Sequence, residues 1–201
     1  FNLTIGIPLY SSLAATFALI GDADMAITIG GASVGDHDLV QATAEACGME
    51  TAFYKVAMRP GKPLMAGRLG RTVLVGLPGN PVSALVCGHI FLRPAVNALL
   101  GGNGAPLPRF SARLEHDLAV NGPREHYMRA VLSQDGETVR VFQRQDSALL
   151  TVLAAANALV VRAPKAPAEP QGAQVSVVKL TESATFCGNS VSEIDTKQEH
   201  G

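Results

Sequence analysis

The stretch Gly76-Leu77-Pro78-Gly79-Asn80-Pro81-Val82-Ser83-Ala84 decides how this chain folds. It ends a β-rich run, Thr72 to Leu77, and opens a helical pattern that continues to Leu100. Asn80 is suited to cap that helix and Pro81 to begin it, because the first helical N–H has no partner to lose. Capping accounts for Asn80 and Pro81. It leaves Pro78-Gly79 unexplained, a pair that stiffens the approach and preorganises the helix N-terminus as a binding surface, with the Ser83 hydroxyl one turn further in. A strand leading directly into a helix is the building unit of α/β sheets, whose ligands sit at the carboxyl ends of the strands.

A second loop has the same grammar. Gly30-Gly31-Ala32-Ser33-Val34-Gly35-Asp36-His37-Asp38 follows the strand pattern Met25 to Ile29 and leads into a helix from about Asp36 to Cys47. Gly30, Gly31 and Gly35 let the backbone approach a ligand, Ser33 adds a hydroxyl, and the N–H groups of the following helix favour an anion such as a phosphate. Asp36 reads as an N-cap and His37 as a solvated loop histidine. Asp38 stands where a Mg²⁺ ion bridging protein and phosphate is held, since that ion takes one or two carboxylates plus ligand oxygens.

Between the two loops lies Lys55-Val56-Ala57-Met58-Arg59-Pro60-Gly61-Lys62-Pro63. Read as the end of one strand from Thr51 to Met58, it places Lys55 and Arg59 on one face, about 13 Å apart at about 3.3 Å per residue. Lys62 follows in a turn stiffened by two prolines. Any one of these cations alone reads as solvated surface; three in eight residues at a sheet edge read as an anion clamp.

The remaining pattern organises the chain. Ser11 to Ile20 reads as a helix, Phe1 to Ile7 as a strand, and Pro81 to Leu100 as a long helix that Pro94 kinks or breaks. Alternating strands and helices predict a three-layer α/β unit with a mostly parallel sheet over residues 1–104. Gly101-Gly102-Asn103-Gly104-Ala105-Pro106-Leu107-Pro108 ends it. Residues 105–181 carry β-type runs at Phe110 to Leu118, Glu125 to Ser133, Glu137 to Gln143, Leu159 to Ala163 and Gln174 to Leu180, with one helix from Ser147 to Asn157. These predict a small β-barrel-like unit. Pro164 to Pro170 reads as an extended loop, and residues 182–201, polar and without periodicity, as a disordered tail.

Composition narrows the function classes. With 201 residues, 47% of them hydrophobic, the chain can bury a substantial core. A net charge of −1 without a basic block argues against nucleic acid and anionic membranes as partners. The apolar stretch Leu149 to Val161 is too short to span a bilayer, so no membrane segment is expected and a cytoplasmic location fits. Cys47, Cys87 and Cys187 lack metal or disulfide spacing and read as buried thiols. No G-x-G-x-x-G opens a βαβ unit, which weakens a generic dinucleotide-binding reading.

The three segments together, with Gly122-x-Arg124-x-x-Tyr127-x-Arg129 and Ser147-x-Leu149-x-x-x-Leu153-x-x-Ala156-Asn157-x-Leu159 downstream, resemble the molybdopterin molybdenumtransferases, bacterial relatives of the gephyrin E domain. The resemblance covers about residues 24 to 180. It implies molybdenum cofactor biosynthesis: insertion of molybdate into adenylylated molybdopterin, dependent on Mg²⁺, with release of AMP. It also implies that Asp38, Lys55, Arg59, Pro78 and Pro81 line the cleft, with Asp38 at the metal and Gly30, Gly31, Ser33, Gly35, Lys62, Gly79, Asn80 and Ser83 around the ligand. Members of the family are homodimers with a shared cleft and two further domains ahead of the matched region. This chain reads Pro8-Leu9-Tyr10-Ser11-Ser12 where the family usually has an aspartate. The alternative reading is therefore a non-catalytic module that binds molybdopterin or a nucleotide without turnover, or a fragment lacking activity.

Overall fold

The computed structural model describes residues 10–20, 23–30, 39–146 and 150–180. In chain order the first unit contains helix α1 (Tyr10–Ile20), strand β1 (Met25–Ile29), helix α2 (Leu39–Ala46), and strands β2 (Met49–Tyr54), β3 (Met58–Arg59), β4 (Met65–Leu69) and β5 (Thr72–Leu77). A helical run from Pro81 to Leu99 follows. The strand expected at Phe1 to Ile7, the loop Gly31 to Asp38, Ser147 and the tail 182–201 lie outside the described residues.

β1 and β5 pair in parallel, from Met25 opposite Val73 to Ile29 opposite Leu77. The sequence reading passes over β4, because Met-Ala-Gly-Arg-Leu contains no β-branched or aromatic residue. Gly70, at φ 61°, allows the tight turn that folds Leu69 back against Thr72, so β4 joins β5 antiparallel and then pairs antiparallel with β2. The described sheet is thus mixed, in the order β1-β5-β4-β2. Side-chain alternation along β5 sends Leu74 to one face, where it meets Phe17 of α1 and Val40 and Ala44 of α2, and Val75 and Leu77 to the other, where they meet Val82 and Val86. Helix, sheet and helix make the three layers.

The strand expected from Thr51 to Met58 is two elements. Lys55 adopts φ 68°, outside the extended region, and ends β2 at Tyr54. Lys55 and Arg59 therefore do not share a strand face. The chain instead enters a loop closed by Lys55 N–H to the Leu64 carbonyl and Val56 N–H to the Lys62 carbonyl, each 2.9 Å. Within this loop β3 leaves the first sheet altogether.

The second unit holds β6 (Arg109–Leu114), β7 (Glu125–Leu132), β8 (Thr138–Val141), helix α5 (Leu150–Ala154), β9 (Ala158–Arg162) and β10 (Gln174–Lys179). The order β7-β8-β6-β10-β9 closes through β9 back onto β7, a five-stranded barrel. Its interior holds Ala112, Leu114, Ala130, Val139, Val141, Val160 and Val177. The helix expected from Ser147 to Asn157 ends sooner, since the Asn157 amide is spent on β7: its Oδ1 accepts from Leu132 N–H at 2.7 Å and its Nδ2 donates to the Leu132 carbonyl at 2.9 Å.

Two features tie the units together. Met58 and Arg59 of β3 pair in parallel with Glu125 and His126 of β7, so a loop of the first unit becomes part of the barrel sheet. Around that junction Met58, Leu77, Val82, Val86 and Cys87 share one core with Tyr127, Leu159, Val161 and Val178. β9 is accordingly buried along its whole length, one face to the barrel interior and one to this shared core.

The helix from Pro81 divides into α3 (Pro81–Cys87), a π turn at Gly88–Leu92 and α4 (Arg93–Leu99). Pro94 disturbs the helix as expected, but by insertion rather than fracture. Its missing N–H and ring crowd the preceding turn, and the Arg93 N–H reaches back five residues to the Gly88 carbonyl. The run Pro81–Leu99 is long and apolar enough to cross a membrane by length and composition. Val82, Val86 and Cys87 are fully buried in the shared core, as in the core helix of a globular fold. Of the cysteines, Cys87 is buried as expected, Cys47 is exposed against expectation, and Cys187 lies outside the described residues.

Gly61 holds the β3 loop against α3. It has φ 110°, and a Cβ there collides with Cys87 Sγ and lies 3.2 Å from Met58 Sδ. Gly61→Ala is expected to lower unfolding stability by about 2 kcal/mol or more, combining backbone strain with overpacking. Urea denaturation of the variant beside the parent checks this, and equal midpoints contradict it.

Candidate functional site

The two signature loops meet at glycine. Gly30 N–H donates to the Leu77 carbonyl at 3.1 Å, and Gly30, at φ 83°, lies so close to Gly79 that a Cβ on Gly79 sits 3.2 Å from Gly30 Cα. A side chain at Gly79 therefore needs Gly30 to give way by a few tenths of an ångström. The parallel pairing of β1 with β5 produces this contact, because it brings the carboxyl ends of both strands to the same edge.

Asn80 caps α3 as its sequence context predicts. Its Oδ1 accepts from Ser83 N–H at 3.1 Å and from Ser83 Oγ at 3.3 Å. Ser83 is buried, and its hydroxyl is committed to the cap. Pro78 is buried behind the loop while Gly79 and Pro81 are exposed, so the surface offered here is backbone and proline ring. Gly31, Ser33, Gly35 and Asp38 lie outside the described residues.

Lys55 and Lys62 are exposed at the base of the β3 loop, with Lys55 Nζ 4.4 Å from the centre of the Tyr54 ring. Arg59 departs from both. Its strand carries it onto the barrel, where it lies beside His126 of β7, and His126 lies in turn opposite Arg162 of β9. Paired residues on adjacent strands project to one face with about 5 Å between their Cβ atoms. Arg124, immediately before β7, reaches across to the Met58 carbonyl at 3.5 Å. Arg162 is tied by a short hydrogen bond from Nη2 to the Pro167 carbonyl.

Sequence reasoning missed this cluster. His126 and Arg162 are separated by a helix and three turns, and only the β7–β9 register joins them. Burial, and then the charges of Arg59, Arg129, Arg124 and Arg162, push the His126 imidazole down to about 4. It is neutral at physiological pH, a hydrogen-bonding group set among fixed cations.

Arg129 anchors the segment that follows β8. It is 1% exposed, its backbone N–H and Nε both donate to Gln145 Oε1 at 3.0 and 3.2 Å, and Nη1 donates to the Asp146 carbonyl at 2.9 Å. Gln145 Nε2 returns hydrogen bonds to the Arg129 and Phe142 carbonyls at 3.0 and 2.7 Å. Residues 142–146 are thereby fastened to the strand that carries His126.

Glycine backbone, a capped helix and guanidinium groups can hold a polyanion, and together they can stabilise charge that develops on one. Among the described residues no three His, Cys, Asp or Glu side chains gather to hold a metal ion. The described donor set fits an oxyanion.

Comparison with known proteins matches both units of the chain. Residues 10–98 match the family model described as a probable molybdopterin binding domain, and residues 111–180 match that of the MoeA C-terminal region (domain IV). Molybdopterin molybdenumtransferase 2 of Mycobacterium tuberculosis is 36% identical over 165 residues, covering 80% of this chain and 41% of its own length. This chain belongs to the molybdopterin molybdenumtransferase family. The enzyme of Bacillus subtilis is 33% identical over 152 residues, 75% of this chain and 35% of the relative. The crystal structure of a molybdopterin biosynthesis protein from Pyrococcus horikoshii has the same fold, with a TM-score of 0.69 at 22% identity over 86% of this chain and 41% of that one. The chain thus spans about two fifths of the length of its Mycobacterium relative.

The depressed His126 basicity has a measurable consequence. In the unfolded chain an imidazole titrates near the ordinary 6.5, in the fold at about 4. Below pH 6.5 the unfolded state binds the extra proton, so His126 lowers stability as pH falls from 6.5 toward 4, by up to ~1.4 kcal/mol per pH unit. His126→Gln is expected to remove this part of the acid sensitivity. Urea midpoints at pH 7.5 and 5 for both proteins test it, and an unchanged pH dependence in the variant contradicts it.

Proposed function

We propose that this chain carries the ligand-binding cleft of a transferase of molybdenum cofactor biosynthesis that inserts molybdate into adenylylated molybdopterin and releases AMP. The observation that carries the reading is the convergence of Gly30 and Gly79 at one sheet edge together with the delivery of Arg59, by β3, to Arg124 and Arg162 on the barrel. The glycine loops accept the phosphate and nucleotide, with Gly31, Ser33, Gly35 and Asn80 among the ligand-binding residues and Pro78 and Pro81 limiting the alternatives of their loop. Lys55 and Lys62 supply long-range attraction at the mouth. Arg59 and Arg124 hold the tetrahedral oxyanion through charge-assisted hydrogen bonds. Asp38 takes Mg²⁺, which when bound neutralises phosphate oxygens. Residues 1–104 and 105–181 act as the two units of this cleft, in a cytoplasmic protein.

The same reading includes a homodimer. An open apolar groove of about 640 Å³ runs from Ile29 and Gly79 along Leu85, His89 and Val96. Leu85, Val96, Leu99 and Leu100 are 49%, 38%, 47% and 82% exposed. A contiguous apolar face of this kind supports an association surface, and its continuity with Gly79 supports a partner beside the proposed cleft. A binding module without turnover is the second reading, favoured by Pro8-Leu9-Tyr10-Ser11-Ser12 standing where the family usually has an aspartate.

The test follows AMP release from adenylylated molybdopterin and molybdate by the protein that contains these residues. Arg124→Ala is expected to weaken molybdate affinity by about tenfold or more, the worth of one charge-assisted hydrogen bond. Binding without AMP release selects the second reading. For the dimer, sedimentation of a Leu85→Asp, Val96→Asp variant is expected to give a folded monomer where the parent is dimeric; a monomeric parent contradicts the surface.

A further inference from the structure

His126 occupies the middle of the barrel-side cluster. Arg59 flanks it on β3 and Arg162 on β9, both as direct register partners, and Arg124 precedes it by two residues and reaches the Met58 carbonyl on β3. The carboxylates nearby are engaged elsewhere: Glu125 holds Arg109 at 3.1 Å, and Asp146 acts on Arg129. The charges that act on the imidazole from β3, β9 and β7 itself, Arg129 included, are all positive. It is 8% exposed, a buried base beside an exposed guanidinium, that of Arg59.

We propose that an oxyanion entering this cluster is taken up together with a proton on His126. This rests on the anion-binding reading of Arg59 and Arg124 given above. A dianion seated between the guanidiniums reverses the field at the imidazole, which burial and then the arginines keep unprotonated, and both ring nitrogens become donors. Anion binding and proton binding then favour each other by the same factor. Affinity rises as pH falls through the anion-bound basicity of His126 and levels off below its free value near 4. Above that window the histidine stays neutral in both states and affinity is flat. Each unit by which the anion raises the imidazole corresponds to tenfold in affinity across the window. His126 is thus a proton-coupled member of the oxyanion pocket, and the pocket gains a positive charge when it is filled and loses it when it empties.

The experiment uses the whole 201-residue chain with sulfate as probe, a tetrahedral dianion that keeps its charge through this pH range. Imidazole resonances, assigned with His126→Gln, are titrated by NMR with and without saturating sulfate, and sulfate affinity is measured by calorimetry at pH 5 and 7.5. The expected result is a His126 basicity raised by about two units with sulfate bound, an affinity about tenfold higher at pH 5 than at 7.5, and loss of that ratio in His126→Gln. Sulfate that binds while the His126 titration stands still overturns the proton coupling and leaves the anion pocket intact. Failure of both sulfate and molybdate to bind at either pH overturns both. The resonance titration of the parent needs no variant, so a misfolded His126→Gln does not blunt the test.

Discussion

Two residues of parallel β-pairing, Met58 and Arg59 against Glu125 and His126, hold the functional architecture together. The hydrogen bonds involved are few, and each adds only about 1 kcal/mol. Their weight lies in where they put the side chains. Met58 enters the core shared by both units, Arg59 leaves the first sheet for the barrel, and Gly61 is drawn against Cys87 on α3. Cys87, whose thiol burial pushes up to about 12, is an inert packing element there. The proposed cleft draws on loops of one unit and guanidiniums of the other, and this short strand is what crosses between them.

The cluster around His126 has an energetic cost that the surrounding structure offsets. Arginines on neighbouring strands repel, and like charges placed side by side destabilise a sheet. Backbone carbonyls of Met58 and Pro167 accept from Arg124 and Arg162, and Gln145 with Asp146 satisfies Arg129. Neutral acceptors hold the guanidiniums in place without cancelling their charge. The barrel core below, closed by Val160, Val177 and Val139, is what makes such a concentration tolerable. Sites that bind anions commonly trade stability for function in this manner.

Much of this was readable from residue order. β1, β5, α1 and the five barrel strands stand where alternation and turn residues put them, and Asn80 caps α3 as its neighbours predict. What escaped did so for identifiable reasons. β4 is made of residues that carry no strand signal and is recruited by its hairpin with β5. β3 is two residues long, and nothing local announces the left-handed turn at Lys55 that frees it. His126 and Arg162 look like ordinary polar residues on separate strands; their proximity is a property of register between distant segments. Motifs compressed into one loop are legible, whereas sites assembled by pairing are visible only once the sheet is closed.

The contact between Gly30 and Gly79 divides the labour of the cleft unequally. Where these glycines touch, a side chain on Gly79 crowds Gly30 and one on Gly30 meets a left-handed backbone, so the surface there is bare main chain. Such a floor recognises shape and charge but has no lever by which substitution might retune it. The barrel wall is the opposite, built of long side chains, of which Arg59 is exposed. Under the proposed function, divergence in what the cleft accepts is therefore confined to one wall, and an altered preference among oxyanions has to be sought in the barrel rather than in the loops by which the fold is recognised.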